Sequence, residues 1–238
     1  MSTPEGLFDA LMQSSPAQPF VTYYDEASGE RSELSVKSLA NWVAKTHFLL
    51  TDELGLGVGD SALITLPAHW ISVAPLLGVL SAGLAVTESP LTASVAFVDP
   101  STVAAADGVP DVYCIAPDSA AVGLRGAQPE GTEDYVLSVR PQADKWSTVR
   151  SPGSPADDCW AGLSRGEVVT LARSRADELG LGSGGRLLTA RSWSGPADWL
   201  DTVLAPLAVG GSVVFVRNAA DESVLTRRAD QERATVIV

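Results

Sequence analysis

The sequence has 238 residues, of which 45% are hydrophobic, and a formal net charge of −13 from 29 acidic and 16 basic residues. A chain of this length and composition can bury a large core, as one α/β domain or as two lobes. Its negative charge repels phosphate groups, and no Lys/Arg run offsets it, which argues against nucleic acid and anionic membranes as partners. Cys114 and Cys159 lack metal-ligand spacing, so we predict buried thiols and no metal site.

The N-terminal residues and the longest apolar stretch both indicate a cytoplasmic protein. "MSTPEGLFDALMQ" has neither the basic region nor the apolar region of a secretory signal. The apolar stretch 71–86 is interrupted by Pro75, Gly78, Ser81 and Gly83, and it is too short to span a bilayer. We therefore predict no membrane association.

The first part of the chain predicts a helix, a hairpin and a βαβ unit. "PEGLFDALMQ" is typical of a short amphipathic helix, and "PFVTYYD" and "RSELS" flank a turn at Gly29. Ser35 is the expected N-cap of a helix from Val36 to Leu54, although its apolar residues drift from a 3.6-residue period. The strand "SALITL", the helix "HWISVAPLLGVLSAG" and the strand "LAVTES" follow, which predicts a parallel sheet.

The middle of the chain is less regular. "SVAFVD" and "DVYCIA" are predicted strands, and "TEDYVLSVRPQ" is a predicted short helix capped by Thr132. Residues 141–158, "PQADKWSTVRSPGSPADD", are rich in Pro, Ser, Gly and Asp, and they indicate a boundary or an exposed linker.

The earlier order of elements then returns. A helix capped by Ser164 leads to a glycine turn, the strand "RLLTA", the helix "PADWLDTVLAPLAVGG" and the strand "SVVFV". The motif "DELGLG" ends the first helix of each segment, beginning at Asp52 and at Asp177. This parallel order predicts an internal duplication, and the chain continues into a charged helix and the strand "ATVIV". We expect an α/β fold of two pseudo-repeated subdomains, 1–150 and 151–238, with mainly parallel sheets flanked by helices.

Two segments carry a resemblance to a known family. The segment 29–90, with its hairpin, helix, "LGLGVGD" turn, strand and apolar helix, resembles the opening of the adenylate-forming superfamily, the acyl-CoA synthetases and AMP-binding ligases. The segment 163–217 is similar to the part that follows the phosphate loop in these enzymes. The resemblance implies two similar α/β subdomains packed face to face, and it implies ATP, AMP or CoA as possible ligands.

The expected phosphate loop is missing. The family places a Ser/Thr- and Gly-rich loop ending in Pro-Lys-Gly directly before the helix that begins here at Ser164, where this sequence reads "SPADDCWAGLSRGEVV". "RSPGSPADD" is the nearest substitute, with Arg150, Ser151, Gly153 and Ser154. Its prolines remove N–H donors and its acids repel phosphate, which favours a connecting segment over a phosphate site.

No catalytic residue can be carried over from the family, because the sequence reaches Val238 before the adenine-binding, ribose-binding, hinge and C-terminal lysine segments. The resemblance places a pocket-lining segment after "RLLTA", which reads "RSWSGPADW" here. Trp193 is thus a candidate pocket residue, with Ser194 and Asp198 near the mouth, although Trp193 and Trp199 also fit core aromatics. We expect His47 and His69 to be packed or capping residues.

These observations favour a truncated, catalytically inactive relative that acts as a binding or interaction module. One alternative is an acyl-adenylating ligase completed by a partner chain or by residues beyond Val238. Another is a structural subunit of a homodimer, in which the strand "ATVIV" and the tryptophans pair with another copy.

Overall fold

The computed structural model describes residues 2–117 and 121–238. The strands are β1 (Pro19–Asp25), β2 (Glu30–Ser35), β3 (Ser61–Thr65), β4 (Ala85–Thr87), β5 (Val95–Val98), β6 (Asp111–Cys114), β7 (Glu133–Asp134), β8 (Asp158–Trp160), β9 (Leu163–Ser164), β10 (Arg186–Thr189), β11 (Ser212–Arg217) and β12 (Val236–Ile237). The helices are α1 (Pro4–Ser14), α2 (Val36–Phe48), α3 (Trp70–Ser81), α4 (Tyr135–Val139), α5 (Arg165–Glu178), α6 (Pro196–Trp199), α7 (Ala205–Ala208) and α8 (Glu222–Glu232).

Within the described residues the strands form two sheets. One has five strands in the order β12-β10-β11-β1-β2, and the other has seven in the order β7-β6-β5-β3-β4-β8-β9. Neighbouring strands are parallel except in the hairpins β1/β2 and β8/β9. The predicted α/β fold with mainly parallel sheets flanked by helices is confirmed.

Each sheet combines strands from distant parts of the chain. In the five-stranded sheet, β1 pairs with β11 through Val21 and Val213, and in the seven-stranded sheet β4 pairs with β8 through Val86 and Trp160. The hairpin that precedes α5 thus completes the sheet of the first segment. The division into 1–150 and 151–238 stays a prediction.

The order of elements predicted for the two similar segments is confirmed. The first is α2, β3, α3 and β4, and the second is α5, β10, α6 with α7, and β11. The helix predicted for 36–54 is α-helical only to Phe48 and continues as a π-helical turn over Leu49–Glu53. A π turn inserts one extra residue and rotates the apolar face, which accounts for the drift in hydrophobic period. A second π turn, Leu200–Leu204, joins α6 to α7.

The predicted cap at Thr132 is wrong. Asp134 is the N-cap of α4, and its Oδ1 accepts a hydrogen bond from the Leu137 amide at 3.1 Å. Thr132 instead donates its hydroxyl to the Pro129 carbonyl. The helix begins later because Glu133 and Asp134 pair with β6 as a short strand.

Helix α3 lies in the core, where it contacts β1 and β2 of one sheet and β3 and β4 of the other. All of its residues are buried, which explains why its sequence is apolar on every side. Gly78 allows α2 to approach closely, because a Cβ at this position would lie 2.5 Å from Cβ of Thr46. No helix in the described part of the chain is long and apolar enough to cross a membrane.

His47 on α2 gives the fold a testable pH dependence. Its side chain is buried, Nδ1 lies 3.3 Å from the Ser81 hydroxyl, and desolvation lowers its pKa below 6.5. In the unfolded chain the imidazole binds a proton near pH 6.5, whereas the folded protein binds it only at lower pH, so protonation favours unfolding. We expect the free energy of unfolding to fall as the pH decreases from 7.5 towards 5.5.

His47→Gln should flatten this dependence, even if it lowers stability at every pH. Urea denaturation at several pH values measures the slope of the free energy of unfolding against pH in the wild-type protein and in His47→Gln. His69 remains in both proteins as an internal control. Equal slopes in the two proteins would show that His47 does not carry the effect.

Candidate functional site

The segment in which the sequence predicts a missing phosphate loop is a tight hairpin. Trp160 of β8 pairs with Leu163 of β9, which leaves Ala161 and Gly162 as a two-residue loop. Their φ angles are +53° and +77°, as in the type I′ turn that suits hairpins. A loop of two residues offers too few backbone N–H groups to surround a chain of phosphates. The sequence predicts that the long loop is missing here, and the structure has this two-residue turn at the same position.

The N-terminus of α5 is also occupied by the protein itself. Ser164 is the N-cap, and the Glu167 carboxylate accepts a hydrogen bond from the Ser164 amide at 2.8 Å. The Ser164 hydroxyl accepts one from the Glu167 amide at 3.3 Å. This capping box places a negative charge where a helix N-terminus would otherwise attract an anion.

A cleft of about 560 Å³ lies beside the turn, and its charge is negative. Its acidic lining residues are Asp60, Glu88, Asp157 and Asp158, and no Lys or Arg from the described residues lines it. A backbone hydrogen bond from Ser154 lowers the pKa of Asp157, so this carboxylate is ionised at neutral pH. Carboxylates at these positions repel phosphate groups.

The first cationic residue after the hairpin faces the core. Arg165, the first residue of α5, is completely buried. Its Nη1 donates to Glu5 Oε2 at 2.9 Å and to the Leu80 carbonyl at 2.8 Å, and its Nη2 donates to the Leu84 carbonyl at 2.9 Å. Arg165 is therefore committed to α1 and to the end of α3.

This ion pair was not predicted from the sequence, although one signal was present. A cation in the first turn of a helix is unfavourable with respect to the helix dipole, and Arg165 occupies such a position. That conflict indicates another partner for the guanidinium, but it does not identify Glu5.

Of the candidate pocket residues Trp193, Ser194 and Asp198, the last two are brought together by hydrogen bonds at the start of α6. The Ser194 amide and hydroxyl donate to Asp198 Oδ2 at 2.7 Å and 2.8 Å, and the Gly195 amide donates to the same oxygen at 3.2 Å. Asp198 therefore stabilises the turn that leads into α6.

Trp193 is buried among other aromatic side chains. Its indole donates to the Thr202 hydroxyl at 3.0 Å, and its ring packs edge-on against Trp199 and Phe215. These contacts are those of a core aromatic residue. A ligand pocket at Trp193, Ser194 and Asp198 stays a prediction.

Polar groups of "RSPGSPADD" make hydrogen bonds within the segment, with the residues before it and with α1. Arg150 Nη1 donates to the carbonyls of Ser147 and Val149, the Ser151 hydroxyl donates to Glu5, and the Ser154 amide donates to Asp157. These contacts agree with the interpretation as a connecting segment rather than a phosphate site.

The remaining candidate side chains for chemistry are buried. His69 is the N-cap of α3, where its Nδ1 accepts from the Ile71 amide at 3.2 Å. Cys114 and Cys159 are free buried thiols, as predicted. Burial raises the pKa of Cys114 to about 11 and that of Cys159 to about 12, so both remain protonated at neutral pH.

No protein-family model matches the chain. A protein from Mycobacterium tuberculosis (strain ATCC 25618 / H37Rv), named a TIGR03089 family protein, is 37% identical over 248 residues, and the match covers 100% of both chains. The chain belongs to the TIGR03089 family.

The fold of this TIGR03089 chain is similar to part of several larger enzymes. The acetoacetyl-CoA synthetase from Streptomyces lividans matches 99% of the chain with a TM-score of 0.78 and 19% identity, over 42% of its own length. A Brucella canis acyl-CoA synthetase matches 99% with a TM-score of 0.76 and 15% identity, over 46% of its length.

The anthranilate CoA ligase AuaEII, solved in complex with anthranoyl-AMP, matches 99% of the chain with a TM-score of 0.74 and 13% identity, over 49% of its length. The TIGR03089 chain thus has the fold of part of the N-terminal domain of acyl-CoA synthetases. It spans less than half the length of each of these three enzymes.

The hairpin turn predicts a stabilising substitution. A left-handed conformation is unfavourable for alanine, whereas Asn-Gly is the preferred pair in a type I′ turn. We expect Ala161→Asn to raise the free energy of unfolding by about 0.5–1 kcal/mol, because Asn tolerates positive φ better than Ala. Urea denaturation measures this change, and Ala161→Val, with a β-branched side chain, should shift it in the opposite direction. A stabilising effect of valine would contradict the type I′ geometry.

The buried ion pair predicts strong coupling between α1 and α5. Arg165→Met leaves the Glu5 carboxylate buried without its charge partner, so we expect a loss of about 3–5 kcal/mol in the free energy of unfolding. The double variant Glu5→Gln/Arg165→Met should lose clearly less than the sum of the two single variants.

Arg173→Met is the matched control for this cycle. Arg173 is exposed on the same helix, so its replacement should change the free energy of unfolding by no more than about 0.5 kcal/mol. Additive single-variant effects, measured by chemical denaturation, would rule out the predicted coupling.

Proposed function

We propose that this protein is a catalytically inactive relative of the acyl-adenylating enzymes and serves as a binding or interaction module. The observation that carries the proposal is the two-residue turn at Ala161 and Gly162. Acyl-adenylate formation from a carboxylate and ATP needs donors that hold the phosphates and stabilise the departing pyrophosphate. The turn provides no such cradle.

The charges around the turn support the same proposal. Arg165 is buried against Glu5, the N-terminus of α5 is capped by Glu167, and the neighbouring cleft is acidic. At a separation of 4 Å, two like unit charges repel by about 1 kcal/mol in water and by about 4 kcal/mol near a protein surface. Each carboxylate of the cleft therefore opposes a polyphosphate.

The partner of the module is proposed to be a protein, including a second copy of the chain. β12 lies at the edge of the five-stranded sheet and pairs with β10 only, among the strands that the structure describes. Ile237 on β12 is exposed. An edge strand with an exposed apolar side chain is a site at which another chain can pair.

The second candidate is an acyl-adenylating ligase whose active site is completed by another chain or by further residues. It is favoured by the fold match, because 99% of the chain superimposes on enzymes of which it covers only 42–49%. In this case ATP, AMP or CoA would bind only to the completed assembly.

ATP–pyrophosphate exchange tests the first proposal against the second. The purified protein is incubated with ATP and a panel of carboxylic acids that includes acetoacetate, anthranilate and fatty acids. An active acyl-CoA synthetase serves as the positive control. We expect no exchange above the blank, because the cleft beside the turn is acidic and, within residues 2–117 and 121–238, is lined by no Lys or Arg that could hold the phosphates.

Thermal-shift measurements with ATP, AMP and CoA add a binding readout, since a ligand present at 100 times its Kd stabilises the folded state by about 2.7 kcal/mol. Robust exchange by the pure protein would overturn the proposal. Exchange that appears only after a co-purifying partner is added would establish the second candidate instead.

A further inference from the structure

Helix α8 is attached to the five-stranded sheet with little apolar burial. Among the residues of α8, all of which the structure describes, Ala229 alone is buried. Val224 and Leu225 are partly buried. The helix has 11 residues, and an isolated helix of this length is only marginally stable in water. The position of α8 therefore depends on its contacts with the sheet.

Glu232, at the C-terminal end of α8, binds three strands through one carboxylate. Oε1 accepts from the Tyr24 hydroxyl on β1 at 2.5 Å and from Arg31 on β2 at 3.0 Å. Oε2 accepts from Arg186 on β10 at 2.7 Å. Charge-assisted hydrogen bonds of this kind are about twice as strong as neutral ones.

A second set of charges holds the middle of the helix. Glu26, which follows β1, accepts from Arg228 at 2.6 Å and from Arg227 at 3.3 Å. The Arg228 guanidinium also lies 4.1 Å from the centre of the Tyr24 ring, a cation–π contact. Two carboxylates and four arginines thus connect α8 to the sheet.

The surface beneath α8 is apolar. Tyr24, Leu188, Val214 and Val216 form a small cluster there, and Ala229 packs against it. These strand residues belong to β1, β10 and β11 in the middle of the sheet. A helix held mainly by charges therefore covers an apolar face.

We propose that α8 is an electrostatic strap that opens locally when its ion pairs are screened or when Glu232 is neutralised, and that its opening uncovers this apolar face. The ion pairs of the strap differ in their exposure to solvent and therefore in how strongly salt screens them. Arg31 and Arg227 are 46% and 54% exposed, whereas Arg186 and Glu232 are 13% and 10% exposed. Because exposed pairs are screened more strongly than buried ones, salt weakens the Arg227 contact first and Glu232 remains the last attachment.

Hydrogen exchange measured by mass spectrometry tests the strap on the full chain. Exchange of the α8 amides is compared with that of β11 at 0.05 M and 1 M NaCl, in the wild-type protein and in Glu232→Gln. We expect α8 to exchange faster at high salt, and about tenfold faster in Glu232→Gln, which corresponds to a loss of about 1.4 kcal/mol. Exchange of β11 should not change.

Asp230→Asn is the matched control, because it removes one negative charge from the same helix, and Asp230 makes no side-chain ion pair or hydrogen bond within residues 2–117 and 121–238. Glu26→Gln is a second test variant that breaks only the contacts of Glu26 with Arg227 and Arg228.

The proposal is overturned if the α8 amides of Glu232→Gln and Glu26→Gln exchange as fast as those of Asp230→Asn, because α8 would then be held by Ala229 and its apolar neighbours. The proposal would also be overturned if hydrogen exchange became faster by the same factor in α8 and in β11 in both test variants, since the whole fold would then be opening. The measurement does not depend on nucleotide binding, so it stands apart from the proposed function.

Discussion

The buried guanidinium of Arg165 is the contact on which the arrangement of the helices depends. Burying an unpaired cation in a protein interior costs several kcal/mol or more of folding free energy. The position of α5 is therefore restricted to one in which Arg165 keeps its carboxylate and carbonyl partners. Those partners are Glu5 on α1 and the carbonyls of Leu80 and Leu84 around the end of α3. Gly153 completes the enclosure, because a Cβ there would lie 2.8 Å from Arg165 Nε. The Arg165 guanidinium thereby joins α5 of the second similar segment to α1 and to the end of α3 in the first segment.

This constraint also affects the charge beside the neighbouring cleft. Arg165 immediately follows the β8/β9 hairpin, and its side chain is directed into the core and away from the surface at which the sequence resemblance places phosphates. Asp157 and Asp158 at the start of the hairpin remain beside the cleft. The fold of part of the N-terminal domain of acyl-CoA synthetases is therefore combined with a negative local charge.

The sequence predicted the order of elements well and the long-range contacts poorly. Caps, glycine turns and apolar periodicity are local, so Ser35, Ser164 and the strands of both segments could be located from them. The contact of Glu5 with Arg165 joins residues far apart in the chain, and no local pattern encodes it. The π turn at Leu49–Glu53 appeared in the sequence only as a drift in period, which by itself does not distinguish a π turn from a frayed helix.

The repeated "DELGLG" illustrates how much a short motif determines. In both copies the first glycine has a positive φ, +68° and +73°, as expected after a helix end. In the second copy the Leu181 amide bonds to the Ala176 carbonyl, five residues earlier, as in a Schellman motif. In the first copy the Leu56 amide bonds to the Leu50 carbonyl, six residues earlier, because the preceding turn is π-helical. The same six residues therefore end two differently wound helices, so the motif specifies where a helix stops and a strand begins. The two-residue turn, in contrast, lies before the second of these helices and outside the motif.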